Sequence, residues 1–174
     1  AGGRDNGVRL LDVNNDGYLD VVIGNERLRQ TRIWQPEVKR WQETDFPTQI
    51  VRARTPAIGE SRSSASPETG IRFGVLRPDG FATALAMNES TNGAWHFDGS
   101  SWVAEPRLAA NLEVNGGRVL TAQNGIDMGV RLRDVDHDGR CELIVANSKQ
   151  SAVLAWSDDE RAWKRSTFAL PDGM

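Results

Sequence analysis

Oxygen-bearing side chains fall at alternate positions in Asp12-Val13-Asn14-Asn15-Asp16-Gly17-Tyr18-Leu19-Asp20, with a glycine directly after the third of them. The apolar run Val21-Val22-Ile23 follows at once. A tight turn through such a stretch directs alternate oxygens at one point, and a hard cation such as calcium takes about six to eight oxygen ligands. Gly17 suits the sharp turn, which a residue with a Cβ would resist. The pattern returns in Asp134-Val135-Asp136-His137-Asp138-Gly139-Arg140-Cys141-Glu142, ahead of Leu143-Ile144-Val145. Several ionised groups crowded into so short a stretch repel one another unless a cation neutralises them. The chemistry expected is calcium binding at about two sites per chain, with the metal fixing a strand connection.

Stepping outward from these loops, the chain repeats. At an offset of 122, Gly7-Val8-Arg9-Leu10 lies over Gly129-Val130-Arg131-Leu132 and Asn25 over Asn147. Half that offset is obeyed by the tryptophans: Trp34, Trp95 and Trp156 step by 61, as do Trp41, Trp102 and Trp163. Three tandem units are therefore expected. The middle unit aligns without gaps at an offset of 63 from Gly70 to Asn88, and its Asp79-Gly80-Phe81 matches Asp16-Gly17-Tyr18. Its other ligand positions are Val75, Arg77 and Thr83. One carboxylate beside an arginine cannot hold calcium, so this copy keeps the turn without the metal.

Within each unit the pattern has a period of two, which predicts short strands near 7–12, 19–25, 30–35 and 40–45, near 70–76, 81–87, 93–97 and 101–105, and near 129–134, 141–147, 151–156 and 162–168. Each unit reads as a four-stranded antiparallel sheet, with the cation loop joining its first two strands and no helix expected. The units span about 5–46, 68–108 and 127–171, with inter-unit loops over 47–67 and 109–126. The first loop carries Arg52, Arg54 and Arg62, read as a solvated excursion that could also contact an anionic partner.

An EF-hand does not fit these loops. It needs a glutamate at loop position twelve and flanking helices, whereas Ile23 and Val145 stand there, each followed or preceded by strand-like residues. The motifs D-x-N-x-D-G-x-x-D and D-x-D-x-D-G-x-x-E, each entering a hydrophobic strand, resemble instead the FG-GAP or VCBS repeats of integrin-type β-propellers and bacterial secreted proteins. The resemblance covers nearly the whole chain. It implies an all-β fold of β-propeller blades, three of them forming an arc of a seven-bladed ring. It also implies a ligand set of Asp12, Asn14, Asp16, Asp20 and the Tyr18 carbonyl, and a second of Asp134, Asp136, Asp138, Glu142 and the Arg140 carbonyl. Glu142 departs from the usual aspartate at that position.

Three units leave two sheet faces uncovered, so the remaining blades of a longer chain or self-association are expected to complete the ring. Calcium loops of extracellular modules bind at roughly 10⁻⁴–10⁻³ M, too weakly for a low-calcium cytosol, which points to an extracytoplasmic setting. The functional expectation is a non-enzymatic, calcium-stabilised scaffold for a protein or glycan ligand. The alternatives are a non-catalytic segment of a larger secreted enzyme, such as a polysaccharide lyase or dehydrogenase, and a lectin that stacks sugars on its tryptophans.

The remaining features add little chemistry. Neither His96 nor His137 has a nucleophile or acid partner at recognisable spacing. The single cysteine, Cys141, excludes an internal disulfide and reads as a small buried side chain. Asn88-Glu89-Ser90 matches a glycosylation triplet. A net charge of −3 gives no basic field for nucleic acid, and no apolar run is long enough for a membrane-spanning helix. The chain begins at Ala1 with no visible signal peptide, as expected of a processed product, an excised piece or an incomplete reading frame.

Overall fold

The repeat-opening glycines Gly7, Gly70 and Gly129 all adopt positive φ, at 73°, 76° and 70°. Each lets the chain turn tightly into a strand rich in β-branched and aliphatic residues. The computed structural model describes residues 5–52 and 69–168, and these fold as three four-stranded antiparallel sheets plus two small hairpins. Sheet one consists of β1 (Val8–Leu11), β2 (Asp20–Gly24), β3 (Arg29–Gln35) and β4 (Arg40–Asp45). Sheet two consists of β5 (Arg72–Val75), β6 (Ala82–Met87), β7 (Asn92–Phe97) and β8 (Trp102–Ala104). The spacer after it holds α1 (Pro106–Ala109) and the hairpins β9 (Glu113–Val114) with β10 (Gly117–Arg118) and β11 (Ala122–Gln123) with β12 (Ile126–Asp127). Sheet three consists of β13 (Val130–Arg133), β14 (Glu142–Ala146), β15 (Ser151–Ser157) and β16 (Ala162–Arg165). Strands follow chain order in all three sheets. The all-β class and four strands per repeat thus match the sequence reading.

Burial shows how the sheets stack. Along β6 every residue is buried, and its two faces carry different side chains. Ala82, Ala84 and Ala86 pack with Val22 and Ile33 of sheet one. Leu85 and Met87 pack with Leu132, Leu143 and Val145 of sheet three. Sheet two therefore lies between the others, with a core on each side. The outer strands β2 and β14 alternate more clearly, as a sheet covered on one face does. Backbone bonds also join the sheets: Ala82 N–H donates to Val13 O at 2.9 Å, and Cys141 N–H to Val75 O at 2.6 Å. Arg72, nearly buried, reaches from sheet two to Val130 O at 2.8 Å and to Asp127 at 3.1 Å. Among the described residues no helix is long and apolar enough to cross a membrane.

Two expectations need correction. The second spacer, read as an inter-unit loop with no helix expected, carries short regular elements. Pro106 opens a helical turn, a position where its missing N–H costs nothing. Asn115-Gly116 and Asn124-Gly125, all at positive φ, then close two tight hairpins. Trp95, moreover, is not the counterpart of Trp34. Trp34 lies opposite Trp41 and Trp156 opposite Trp163, but Trp102 lies opposite Phe97, while Trp95 faces Ala84 and Ala104. The 63-residue offset holds through Phe97, and the β7–β8 hairpin is then two residues shorter than its counterparts. Of the first spacer, residues 53–68, including Arg54 and Arg62, lie outside the described residues. Arg52 donates to Ser90 Oγ at 3.1 Å and Asn88 Oδ1 at 3.3 Å.

A Cβ added at Gly129 would lie 2.1 Å from Ala146 O, whereas one at Gly116 would meet nothing within 4 Å. Both positions have positive φ. Gly129→Ala is expected to cost about 2–4 kcal/mol and Gly116→Ala about 1 kcal/mol, read as shifts in urea midpoint at unchanged slope.

Candidate functional site: two acidic loops and a third without their ligands

The loop between β1 and β2 is folded by its own acidic side chains. Asp12 accepts the Asp16 amide at 3.1 Å and the Gly17 amide at 2.8 Å. Asp16 Oδ1 accepts the Tyr18 amide at 2.9 Å, while its Oδ2 accepts from the Asn14 amide nitrogen at 2.9 Å. Asn15 at φ 57° and Gly17 at φ 85° supply the two left-handed bends. Asp20, with no solvent exposure, closes the loop: Oδ2 takes the Val13 amide and Oδ1 the Trp34 amide, each at 2.9 Å. Burial raises the Asp20 carboxyl above the usual carboxylate range, against the downward pull of those two amides.

The loop between β13 and β14 has the same anatomy. Asp134 Oδ2 accepts the Gly139 amide at 3.0 Å, and Asp138 Oδ1 accepts the Arg140 amide at 2.8 Å. Here His137, at φ 64°, and Gly139, at φ 88°, make the left-handed bends. Glu142, almost fully buried, takes the Val135 amide at 2.9 Å, the bond Asp20 makes to Val13. The extra methylene is thus accommodated with the closing bond retained. Ligand atoms of Asp134, Asp136 and Asp138 all lie within 4.8 Å of one another, and Glu142 stands outside that group. Arg140 is more than a carbonyl at position seven: its guanidinium pairs with Asp138 at 2.7 Å and holds that carboxyl below its ordinary range.

Each of these loops keeps one buried oxygen without a hydrogen-bond partner, Asn14 Oδ1 in the first and Asp134 Oδ1 in the second. A buried polar atom left unpaired is costly, and a cation supplies what such an oxygen lacks. The donor set is oxygen only, as hard cations require. The donor atoms could therefore take a hard cation, and among the described residues Asp134, Asp136 and Asp138 form the one acidic group already gathered closely enough to hold a metal. Tyr18 and Arg140 occupy position seven, their amides turned to Asp16 and Asp138.

The middle loop, between β5 and β6, brings no such oxygens together. Val75 replaces the first acid, and Arg77 turns to Glu105 at 2.6 Å. Pro78 stands where Asn15 and His137 take positive φ, a conformation the proline ring forbids. Sequence reasoning passed over His96, which is buried in β7 with partners on both sides: Nε2 lies 2.8 Å from Asp79 Oδ2, and Nδ1 lies 3.1 Å from Thr83 Oγ1. The signal was present in the repeat, since the 63-residue offset sets His96 over Ile33, directly across the strand pair from position nine.

The other candidates fall mainly to structure. Trp102 sits among Phe46, Phe73 and Phe97 with centroid distances of 5.4, 6.2 and 5.5 Å. Trp156 belongs to the core, while Trp41 is largely exposed against Trp34. The Trp156–Trp163 pair lines a cavity of about 350 Å³, with Arg107 and Arg161 also on its walls. The Asn88 side chain is buried, donating to Thr69 O and accepting the Ser90 and Thr91 amides, which removes it as an accessible glycan acceptor. Cys141 is half-buried, and desolvation raises its thiol pKa. No family model matches the chain, and no curated protein matches it in sequence.

Asp20 does structural work that needs no metal. With calcium chelated, Asp20→Ala leaves two amides without acceptors and is expected to cost about 2–4 kcal/mol, while Asp20→Asn costs less than half as much. Thermal unfolding of the two variants in excess chelator measures the difference.

Proposed function

We propose that the chain is a calcium-stabilised, non-enzymatic scaffold: three β-propeller blades of the FG-GAP or VCBS kind, from a secreted or surface protein that binds a protein or glycan ligand. The observation that carries the calcium reading is the pair of unpartnered buried oxygens, one in each acidic loop. Asp12, Asn14, Asp16 and Asp20 would hold one ion with the Tyr18 carbonyl. Asp134, Asp136, Asp138 and Glu142 would hold the other with the Arg140 carbonyl. Bound there, the metal supplies charge neutralisation and cross-links the β1–β2 and β13–β14 connections. Arg140 must release Asp138 for that oxygen to reach the ion, so the second site is expected to be the weaker.

The arc reading draws support from a repeated interface. Val130, Leu132, Leu143 and Val145 of sheet three are covered by sheet two. Their equivalents Ile71, Phe73, Ala84 and Ala86 in sheet two are covered by sheet one. The corresponding residues of sheet one, Val8, Leu10, Val21 and Ile23, are only partly covered, with Leu10 64% exposed. A further blade, or sheet three of a second copy, could cover that face, as the equivalent face is covered twice within the molecule.

Titration calorimetry is expected to show about two calcium ions per chain, with dissociation constants of roughly 10⁻⁴–10⁻³ M. At about 10 mM calcium each site then adds about 1.4–2.7 kcal/mol of stability. Asp16→Ala removes one site and Asp79→Ala neither; heats no larger than dilution would refute the assignment. Sedimentation velocity on this chain alone should show concentration-dependent association that Leu10→Lys weakens, and a strictly monomeric chain at high concentration counts against the open-face reading.

A further inference from the structure

A loop that has lost its cation ligands must still be closed, and the middle loop is closed by a side chain from outside it. His96 projects from β7 directly opposite Thr83. With the Asp79 carboxylate as acceptor, Nε2 carries the hydrogen and donates to Asp79 Oδ2 at 2.8 Å. In the neutral ring Nδ1 then accepts the Thr83 hydroxyl hydrogen at 3.1 Å. Both ring nitrogens are used, and the side chain is 5% exposed.

Asp79 and Thr83 stand at loop positions five and nine, where the outer loops carry Asp16 and Asp20, and Asp138 and Glu142. The imidazole therefore spans the two positions that the cation spans elsewhere. Its equivalents opposite Asp20 and Glu142 are Ile33 and Ala155, so the ring occurs only in the copy whose position nine has no charge. The geometry points to His96 as an internal replacement for the metal: an imidazole fastener that keeps the middle loop closed whether or not calcium is present. The calcium half of this statement rests on the function proposed above.

The consequence is a stack whose outer loops respond to calcium while its centre does not. Loop one offers Val13 O to β6, and the middle loop offers Val75 O to the start of β14. Loss of calcium is expected to loosen the first joint from the Val13 side and the second from the Cys141 side, while Ala82 and Val75 of the middle sheet stay in place. Both outer sheets would then loosen around a fixed centre.

Equivalent amides report each loop, and Phe81 reports the middle one most directly because Gly80 packs against Asn15 of loop one. Gly17 and Tyr18, Gly80 and Phe81, and Gly139 and Arg140 occupy positions six and seven of the three loops. Amide exchange is followed by NMR on the whole chain in calcium and in chelator. Chelation is expected to speed exchange at the two outer pairs by about tenfold or more, and at Gly80 and Phe81 by less than about twofold. His96→Ala is expected to speed exchange at Gly80 and Phe81 in both conditions while sparing the outer pairs. His96→Gln, whose amide can still reach Asp79, should restore part of the protection.

Should His96→Ala fail to fold, Thr83→Val removes one end of the bridge at nearly constant volume and is expected to act in the same direction. The proposal is overturned if chelation opens Gly80 and Phe81 as much as the outer pairs, or if folded His96→Ala and Thr83→Val leave them protected. If chelation moves none of the six amides but His96→Ala still opens the middle pair, the calcium reading fails and the histidine fastener stands.

Discussion

A carboxylate shut away from water and bonded to backbone on two strands is the constraint on which sheet one depends. Asp20 opens β2, takes the amide of Val13 at the mouth of the loop, and takes the amide of Trp34 on β3. It thereby fixes where the loop ends, how β2 enters the sheet and how β3 lies beside it. Burying a charged group is unfavourable unless it is paired, and burial does push this carboxyl toward its neutral form. Loop closure and strand order are thus coupled through one residue. Glu142 repeats the closing bond on a longer side chain, and Arg140 supplies partial neutralisation that loop one lacks.

Sheet stacking places a second demand on the repeat, and the middle strand meets it with unequal faces. Ala82, Ala84 and Ala86 form a thin surface beneath sheet one, and the space near that joint is taken by Phe46, Phe73, Phe97 and Trp102. Toward sheet three the same strand offers Leu85 and Met87, and the spacer contributes Leu108, Leu112, Val114 and Val119. One joint is filled by aromatic rings and the other by aliphatic side chains from an added excursion. Dense packing in both follows from different residues, so neither set could serve the other joint unaltered.

Local information was legible in the chain and cross-strand information was not. Acids at alternate positions, the glycine after the third, and strands of period two are all properties of neighbouring residues. The two acidic loops, the all-β class and four strands per repeat could be read from them. The equivalence of Trp95 with Trp34 failed because a shortened hairpin shifts the numbering without disturbing the pairing, and the gap-free offset through Phe97 was the better guide. Asn115-Gly116 and Asn124-Gly125 carried the spacer hairpins in plain view. His96 was missed because its partners lie 17 and 13 residues away, joined to it only once β6 and β7 are in register.

The middle loop is better understood as a separate solution than as a decayed copy. Its departures from the other two are mutually dependent. Thr83 removes the buried charge that would need neutralising, and His96 then bridges position nine to position five without a cation. Pro78 rules out the left-handed bend at position four, consistent with a loop that no longer gathers oxygens around one point. Arg77, at the position Asn14 holds in loop one, pairs with Glu105 through a terminal guanidinium nitrogen. Arg77 Nε stays buried without a hydrogen-bond partner, so the replacement is complete at positions five and nine and incomplete at position three.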